Sequence, residues 1–356
     1  MSRFELVVVA ATRVDPGLSW RFSTFGPYVP AMSESGEVAF QATLADGRTG
    51  AFVLGPCEPR ALLAGAGKLA SVESHPDLNA AGDLCFYGVD ADGRTVLFFR
   101  SAAGELRSEA GSTSGIIQIG PAGPTMNEAG AVAFRADTWR RDRTAGAGVF
   151  VLDGHGIHAV DRRGSGEVHG LPVVDEDGRV VYRHDLDDGT EVIAACRRGQ
   201  PPLEVVRTGR DFASLGRFPA TGPAGLICFT ATLRSGGAGV FSWRDGRLEE
   251  VVDAGDTFES IRGALVNAAD RVVFFATPRG GTLGIYVGLH PSNDRILGFG
   301  DSLLGSIVVD FALNPVSINR AGQLAIRVAF ADGQEAILRV DGRCARLHGF
   351  CWRLRL

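Results

Sequence analysis

The chain has 356 residues, a formal net charge of −5 and no long run of basic residues. A chain of this length buries about 75% of the surface that it exposes when unfolded, so it can form one large fold or two ordinary domains. A negative net charge without a basic run does not produce the positive electrostatic potential by which proteins bind phosphate backbones. We therefore expect no nucleic-acid partner.

The first predicted element is a β-strand at the N-terminus. Leu6 to Ala11 form a run of six apolar residues behind the acidic Glu5. Six residues are too few for the core of a signal peptide or for a membrane-spanning helix, so we expect no membrane partner. The six cysteines form no C-x-x-C pair, which favours buried thiols in a reducing cytoplasm over disulfides or metal ligands.

After this strand, one phrase recurs along the chain in altered spelling. Three of its seven copies read "MSESGEVAF" at 32–40, "LNAAGDLCF" at 78–86 and "MNEAGAVAF" at 126–134. The copies align, at spacings of 45 to 52 residues, on Ser33, Asn79, Asn127, Asp175, Gly222, Asn267 and Asn319. Three residues later comes glycine in six copies and Asp270 in the other, a set suited to the positive φ of a tight turn.

Each turn opens a unit of four short strands. Alternating residues such as Val38 and Phe40 predict the first strand after the turn, and "ADGRTG" at 45–50 predicts the next hairpin. A further hairpin leads to strands such as "LEEVVDAGD" at 248–256, and segments such as "FESIRGALVN" at 258–267 run into the next turn. Units of this size match propeller blades of roughly 40 to 50 residues.

Seven such units predict an all-β fold, a seven-bladed β-propeller of four-stranded antiparallel blades. A β-solenoid is the less favoured alternative, because its rungs are usually shorter. Phe4 to Ala10 resemble the outermost strand of a blade but precede the first complete unit, and "CARLHGFCWRLRL" at the C-terminus resembles the same strand. We expect the N-terminal strand to close the ring and remove an exposed edge, in a single domain over residues 1–356.

The repeated phrase and the four-strand rhythm resemble bacterial tandem-repeat proteins marked by an N-x-x-G turn and a following A-F strand. They resemble TolB-like and WD-type propellers more loosely. The resemblance covers nearly the whole chain and implies the propeller fold, but it implies no activity.

Two short motifs are excluded as sites. "GAGK" at 65–68 lacks the first glycine and the hydroxyl residue of a phosphate loop, and with no dinucleotide motif we expect no organic cofactor. "GDSL" at 300–303 matches the nucleophile motif of an esterase family, yet it aligns with the loop "GDTF" at 255–258 between units. We interpret both as loops.

A ligand site is expected where the innermost strands converge on the central channel. By analogy with TolB-like blades, the innermost strand is the one just before each N-x-x-G turn. Two of these segments carry Glu-x-His, as Glu73 with His75 and Glu167 with His169. Residues i and i+2 of a strand share a face, so we predict these four as catalytic. A metal held by the pairs is a lesser alternative.

Other charged residues on the innermost segments are predicted to bind the ligand. They are Arg217, Glu259, Arg262 and Asp310. Charges buried near an axis must be paired, hydrated or bound to a ligand. A water-filled channel with mutually satisfied ion pairs is therefore the main alternative.

Two loops are expected at the same mouth of the channel. The long hairpin "RADTWRRDRTAGAG" at 135–148 adds Trp139 and Arg141, and "TRVDPGLSWR" at 12–21 adds Trp20. Aromatic and cationic side chains there would cover an anionic ligand. Solvated insertions are the alternative.

Two functions remain open. In the first, the protein acts on a small molecule in the channel as a cofactor-independent lyase, cyclase or hydrolase. His169 or His75 would transfer protons, a glutamate would tune the imidazole, and an arginine would stabilise negative charge. In the second, the propeller is a non-catalytic scaffold for a ligand or protein. We favour the first, because the sequence shows no attached domain for a scaffold to serve.

Overall fold

The computed structural model describes residues 4–13, 20–27, 29–65, 67–109, 116–120, 122–139, 145–161, 168–222, 225–267 and 271–342. These residues form seven antiparallel sheets arranged as a seven-bladed β-propeller, as the repeats predict. A single domain over residues 1–356 stays a prediction. No helix in the described ranges is both long and apolar enough to cross a bilayer.

The first three blades follow one another along the chain. Blade one contains β2 (Phe22–Thr24), β3 (Ala31–Met32), β4 (Val38–Leu44), β5 (Thr49–Leu54) and β6 (Arg60–Leu63). Blade two contains β7 (Leu69–Val72), β8 (Asp77–Leu78), β9 (Leu84–Asp90), β10 (Thr95–Arg100) and β11 (Leu106–Glu109). Blade three contains β12 (Ile116–Ile119), β13 (Thr125–Met126), β14 (Val132–Trp139), β15 (Ala145–Asp153) and β16 (Gly156–Asp161).

The next three blades repeat the pattern. Blade four contains β17 (Val168–Val174), β18 (Val180–Asp185), β19 (Glu191–Cys196) and β20 (Leu203–Arg207). Blade five contains β21 (Phe212–Leu215), β22 (Ala220–Thr221), β23 (Ile227–Leu233), β24 (Ala238–Arg244) and β25 (Arg247–Asp253). Blade six contains β26 (Phe258–Val266), β27 (Val272–Pro278), β28 (Gly284–Tyr286) and β29 (Arg295–Gly298).

Blade seven joins the N-terminal strand to the last strands of the described chain. It contains β30 (Ser302–Leu303), β31 (Ser306–Ala312), a 3-10 turn (Pro315–Ser317), β32 (Leu324–Phe330), β33 (Glu335–Gly342) and β1 (Phe4–Ala11). β1 pairs antiparallel with β33, with Phe4 opposite Gly342 and Ala11 opposite Ala336. The predicted closure by the N-terminal strand is confirmed. "CARLHGFCWRLRL" lies outside the described residues.

The recurring turn ties neighbouring blades together. Asn127 accepts a hydrogen bond from Ala131 N through Oδ1 and donates one to Asp175 O of blade four through Nδ2, both at 2.9 Å. Asn319 of blade seven donates in the same way to Ser33 O of blade one at 3.0 Å. The glycines of the described copies have φ between 73° and 90°, where glycine avoids strain. The phrase therefore builds the scaffold.

The core lies between the blades. Stacked aromatic rings from the second and third strands recur in five blades, as Phe40–Phe52, Phe86–Phe98, Phe134–Phe150, Phe229–Phe241 and Phe274–Tyr286. Phe40 and Phe52 of blade one pack with Ala325 and Ile337 of blade seven. Cys85 and Cys228 are fully buried, as their repeat position predicts.

Candidate functional site

The innermost strands line the channel and share one irregularity. Register shifts mark a bulge near the start of six of them, all except β17 of blade four. The unpaired residue of each bulge occupies an equivalent place and is exposed. We call these residues the collar: Ser23, Ala70, Ile117, Ala213, Glu259 and Val309.

A second level lies three residues further along each innermost strand. We call it the inner ring: Gly26, Glu73, Gly120, His169, Gly216, Arg262 and Ala312. In blades two to five and in blade seven this residue is opposite the fourth residue of the second strand. In blade six a second bulge leaves Arg262 unpaired, and Gly263 lies opposite the fourth residue, Phe275. Gly120 N donates to Arg135 O at 2.9 Å, and Glu73 N donates to Tyr87 O at 2.8 Å.

The pairing of β17 places His169 in the inner ring. Val168 pairs with His184 just as Val72 pairs with Gly88, and His184 and Gly88 are each the fifth residue of their strand. His169 therefore occupies in blade four the position of Glu73 in blade two. The two Glu-x-His motifs are thus offset by two residues, which the sequence spacing conceals.

The inner ring alternates between functional and small residues. Glu73, His169 and Arg262 come from blades two, four and six, and the other four blades contribute glycine or alanine. Glu73 and Arg262 are exposed. At Gly120 an added Cβ would lie 2.9 Å from Cγ of Arg135, which excludes a larger residue. Side chains of the second strands therefore fill the space beside Gly120.

Glu73 and His75 do not share a face. Strand β7 ends at Val72, so the two-residue period does not extend to His75. Ser71 Oγ donates to Glu73 Oε1 and fixes the carboxylate at the channel wall.

His75 is 3% exposed and lies against blade three, where its Nε2 is 3.1 Å from Pro124 O. A carbonyl only accepts, so Nε2 carries the proton. Burial lowers the pKa of His75 to about 4, so the ring is neutral at pH 7.

Asp310 is already paired. Its Oδ2 is 3.2 Å from Nη1 of Arg327, whose Nη2 is 2.5 Å from Oε1 of Glu335. Oε2 of Glu335 accepts hydrogen bonds from Thr24 Oγ1 at 2.7 Å and Phe25 N at 2.8 Å in blade one. Asp310 is thus the channel end of a network that joins blades seven and one.

The remaining predicted residues lie at different depths. Arg217 and Glu259 are exposed on or just after innermost strands. Trp20 is half-buried with its ring centroid 5.3 Å from that of Phe52, so it packs on the core. Trp139 is 65% exposed at the end of β14. Glu167 and Arg141 lie outside the described residues.

Sequence reasoning missed the buried arginines of the second strands. Arg183 lies opposite His169 and pairs with Oε1 of Glu191 at 2.7 Å, while Leu215 N of blade five donates to Oε2 at 2.5 Å. Arg327 and Glu335 repeat this arrangement between blades seven and one. An arginine inside an apolar strand, as in "VVYRHD" and "LAIRVAF", is the signal for both.

Asp77 was also not predicted. It is buried between blades two and three, where Oδ2 accepts from Met126 N at 2.7 Å and Oδ1 from Leu78 N at 2.8 Å. Burial raises its pKa to about 7 because the charged form loses hydration. Across the described part of the chain, no three His, Cys, Asp or Glu residues are grouped so as to hold a metal ion.

No protein-family model and no curated protein sequence matches this chain. Its fold is similar to that of a puromycin-hydrolysing peptidase of Mycobacterium tuberculosis, with a TM-score of 0.59 and 12% identity over 92% of this chain and 55% of that one. The polysaccharide lyase Uly1 gives a TM-score of 0.55 and 7% identity over 92% and 93% of the two chains.

The β-propeller domain of the Trilobed protease of Pyrococcus furiosus gives a TM-score of 0.51 and 13% identity over 73% and 81% of the two chains. Identities this low show the propeller fold alone. The chain spans about half the length of the peptidases that it matches. Membership of the N-x-x-G tandem-repeat group stays a prediction.

Proposed function

We propose that this protein binds a small molecule at the inner ring and catalyses acid/base chemistry on it without an organic cofactor. One observation carries the proposal: Glu73 and His169 occupy the same backbone position in blades two and four, and the exposed Arg262 is the unpaired residue of a bulge next to that position in blade six. A lyase, cyclase or hydrolase fits these groups.

Each residue of the inner ring has a role in this proposal. His169 exchanges the proton, because imidazole is the side chain that titrates nearest to neutral pH. Glu73, held by Ser71, stabilises the cationic imidazole. Arg262 holds negative charge that develops on the ligand, since its planar fork matches a carboxylate or enolate.

Among these classes we put a lyase first on the extent of the fold alone, and not on sequence likeness. The match covers 93% of the polysaccharide lyase Uly1, so a propeller of this size accounts for nearly a whole lyase chain. The peptidases support a hydrolase less, because the match leaves about half of each of them uncovered.

The test begins with native mass spectrometry of the purified protein, followed by turnover assays on the ligand released from it. We expect His169→Ala to reduce kcat by about 100-fold or more, because general acid/base catalysis contributes 10²- to 10⁴-fold. Arg262→Ala should also reduce kcat, because it removes the guanidinium that holds the developing negative charge. Arg247→Ala, at an exposed position on the outer strand β25, is its matched control and should leave kcat unchanged. Full turnover by His169→Ala would rule out the acid/base role.

Binding that depends on Arg262 without turnover by the wild-type protein would instead identify a non-catalytic ligand-binding propeller. Asp310 favours this second candidate, because its carboxylate is held by Arg327 in a network between blades seven and one.

A further inference from the structure

We propose that the ligand is a small amphipathic monocarboxylate, whose apolar body lies against the collar and whose carboxylate reaches Arg262. This proposal rests on the ligand site at the inner ring and adds the class of ligand. It is based on the difference between the collar, which is mainly apolar, and the inner ring, which carries charged residues.

The collar is almost free of charge. Of its six residues only Glu259 is ionisable, whereas Ala70 and Ala213 are small and apolar. Ser23 donates its hydroxyl to Thr43 O at 3.0 Å, so this polar group is used within its own blade.

Branched aliphatic side chains are exposed at this level. Ile117 of blade three is 42% exposed and Val309 of blade seven is 47% exposed. Both are bulge residues, so two distant blades present apolar surface at the same depth.

Blade seven extends this apolar surface with a short hairpin. β30 and β31 pair through Ser302 with Ile307 and Leu303 with Ser306. Leu304 lies at the tip with φ of 53° and is 44% exposed, and Ile307 is 41% exposed. Exposed apolar residues do not stabilise a channel filled only with water and ion pairs. Ligand pockets, by contrast, are lined mainly by apolar side chains.

The inner ring supplies the polar end of the site. It follows the collar by three residues, roughly 10 Å along an extended strand. The guanidinium of Arg262 can bind a carboxylate through two parallel hydrogen bonds. Glu73 repels a second anionic group at the same level, so one carboxylate fits better than two.

Isothermal titration calorimetry with sodium butyrate, hexanoate and octanoate tests the proposal. We expect affinity for the wild-type protein to rise about fourfold with each added methylene group, as burial of CH₂ against the collar predicts. Ile117→Ser with Val309→Ser should flatten this rise. Leu203→Ser with Leu248→Ser, at exposed positions on outer strands, should leave it unchanged and controls for general effects.

The outcomes separate the two proposals. If Arg262→Ala abolishes butyrate binding but the wild-type affinity does not rise with chain length, the amphipathic ligand is wrong and the inner-ring site stands. If the rise survives the collar substitutions, the collar is likewise not the binding surface. If Arg262→Ala binds all three acids as the wild type does, both proposals are contradicted. If the wild type binds none of them, the monocarboxylate ligand alone is contradicted.

Discussion

Asp77, Thr125 and Ser317 occupy the same position in blades two, three and seven, where a polar side chain reaches the next blade. Thr125 Oγ1 donates to Pro172 O at 2.9 Å, and Ser317 Oγ donates to Pro30 O at 2.6 Å. In blade two, two side chains make the contacts to the next blade. Asp77 accepts a hydrogen bond from Met126 N, and His75 contacts the equivalent carbonyl oxygen of Pro124. A hydroxyl makes such contacts uncharged, whereas an ionised carboxyl loses hydration.

Asp77→Asn tests the energetic consequence. The pKa of Asp77 is raised from 3.8 to about 7 in the native state, so its ionisation costs stability progressively as pH rises from about 4 to about 7. Asparagine removes this loss, and the free energy of unfolding of the variant relative to wild type should increase by up to about 4 kcal/mol across that range. Urea unfolding between pH 4 and 8 measures it.

His75 has the opposite pH dependence in both proteins, because its lowered pKa costs stability as pH falls from 6.5 towards 4. It therefore cancels in the comparison of variant and wild type. Asp256→Asn, at an exposed position in the loop before β26, is the control. Parallel curves for wild type and Asp77→Asn would show that Asp77 titrates as an ordinary exposed carboxylate.

At this scale the sequence predicts residue types better than their orientation. Glu73 and Arg262 lie exposed on segments that the repeat alignment correctly predicts as innermost. His75 lies buried because β7 ends at Val72, and the end of a strand depends on contacts with blade three. The alternation of side chains along a strand does not predict those contacts between blades.

At the scale of elements, the N-x-x-G turn is predictable and the bulges are not. Glycine and asparagine at fixed spacing predict a turn from local backbone preference. A bulge is defined by the strand opposite, as when Ile116 and Gln118 face adjacent residues Thr138 and Asp137. Register therefore emerges only from pairing, and with it the equivalence of Glu73 and His169.

Asn127→Asp tests the contact that the turn makes between blades. Aspartate keeps the acceptor for Ala131 N but loses the donor to Asp175 O and places two oxygens together. We expect a loss of about 1 to 3 kcal/mol in the free energy of unfolding at pH 7, measured by urea titration.

Asn293→Asp, at an exposed loop position, is the matched control and should change stability by less than about 0.5 kcal/mol. Equal effects of the two substitutions would mean that the turn contributes only its own local structure.

At the scale of the whole molecule, closure of the ring brings residues distant in the chain to one axis. The pairing of β1 with β33 and the contact of Glu335 with Thr24 hold blades seven and one together. Seven repeats, their size and the spare N-terminal strand predict this closure. Which side chains share a level of the channel depends on the six bulges of the collar, on the second bulge of β26 at Arg262 and on the register of β17, and the sequence alone leaves that open.

A crystal structure of the protein grown with sodium octanoate tests the central claim most directly. The account predicts the carboxylate within hydrogen-bonding distance of Arg262, between Glu73 and His169, with the chain directed towards Ile117 and Val309. Arg262 paired directly with Glu73 across a water-filled channel, with octanoate bound only on the outer surface, would contradict it.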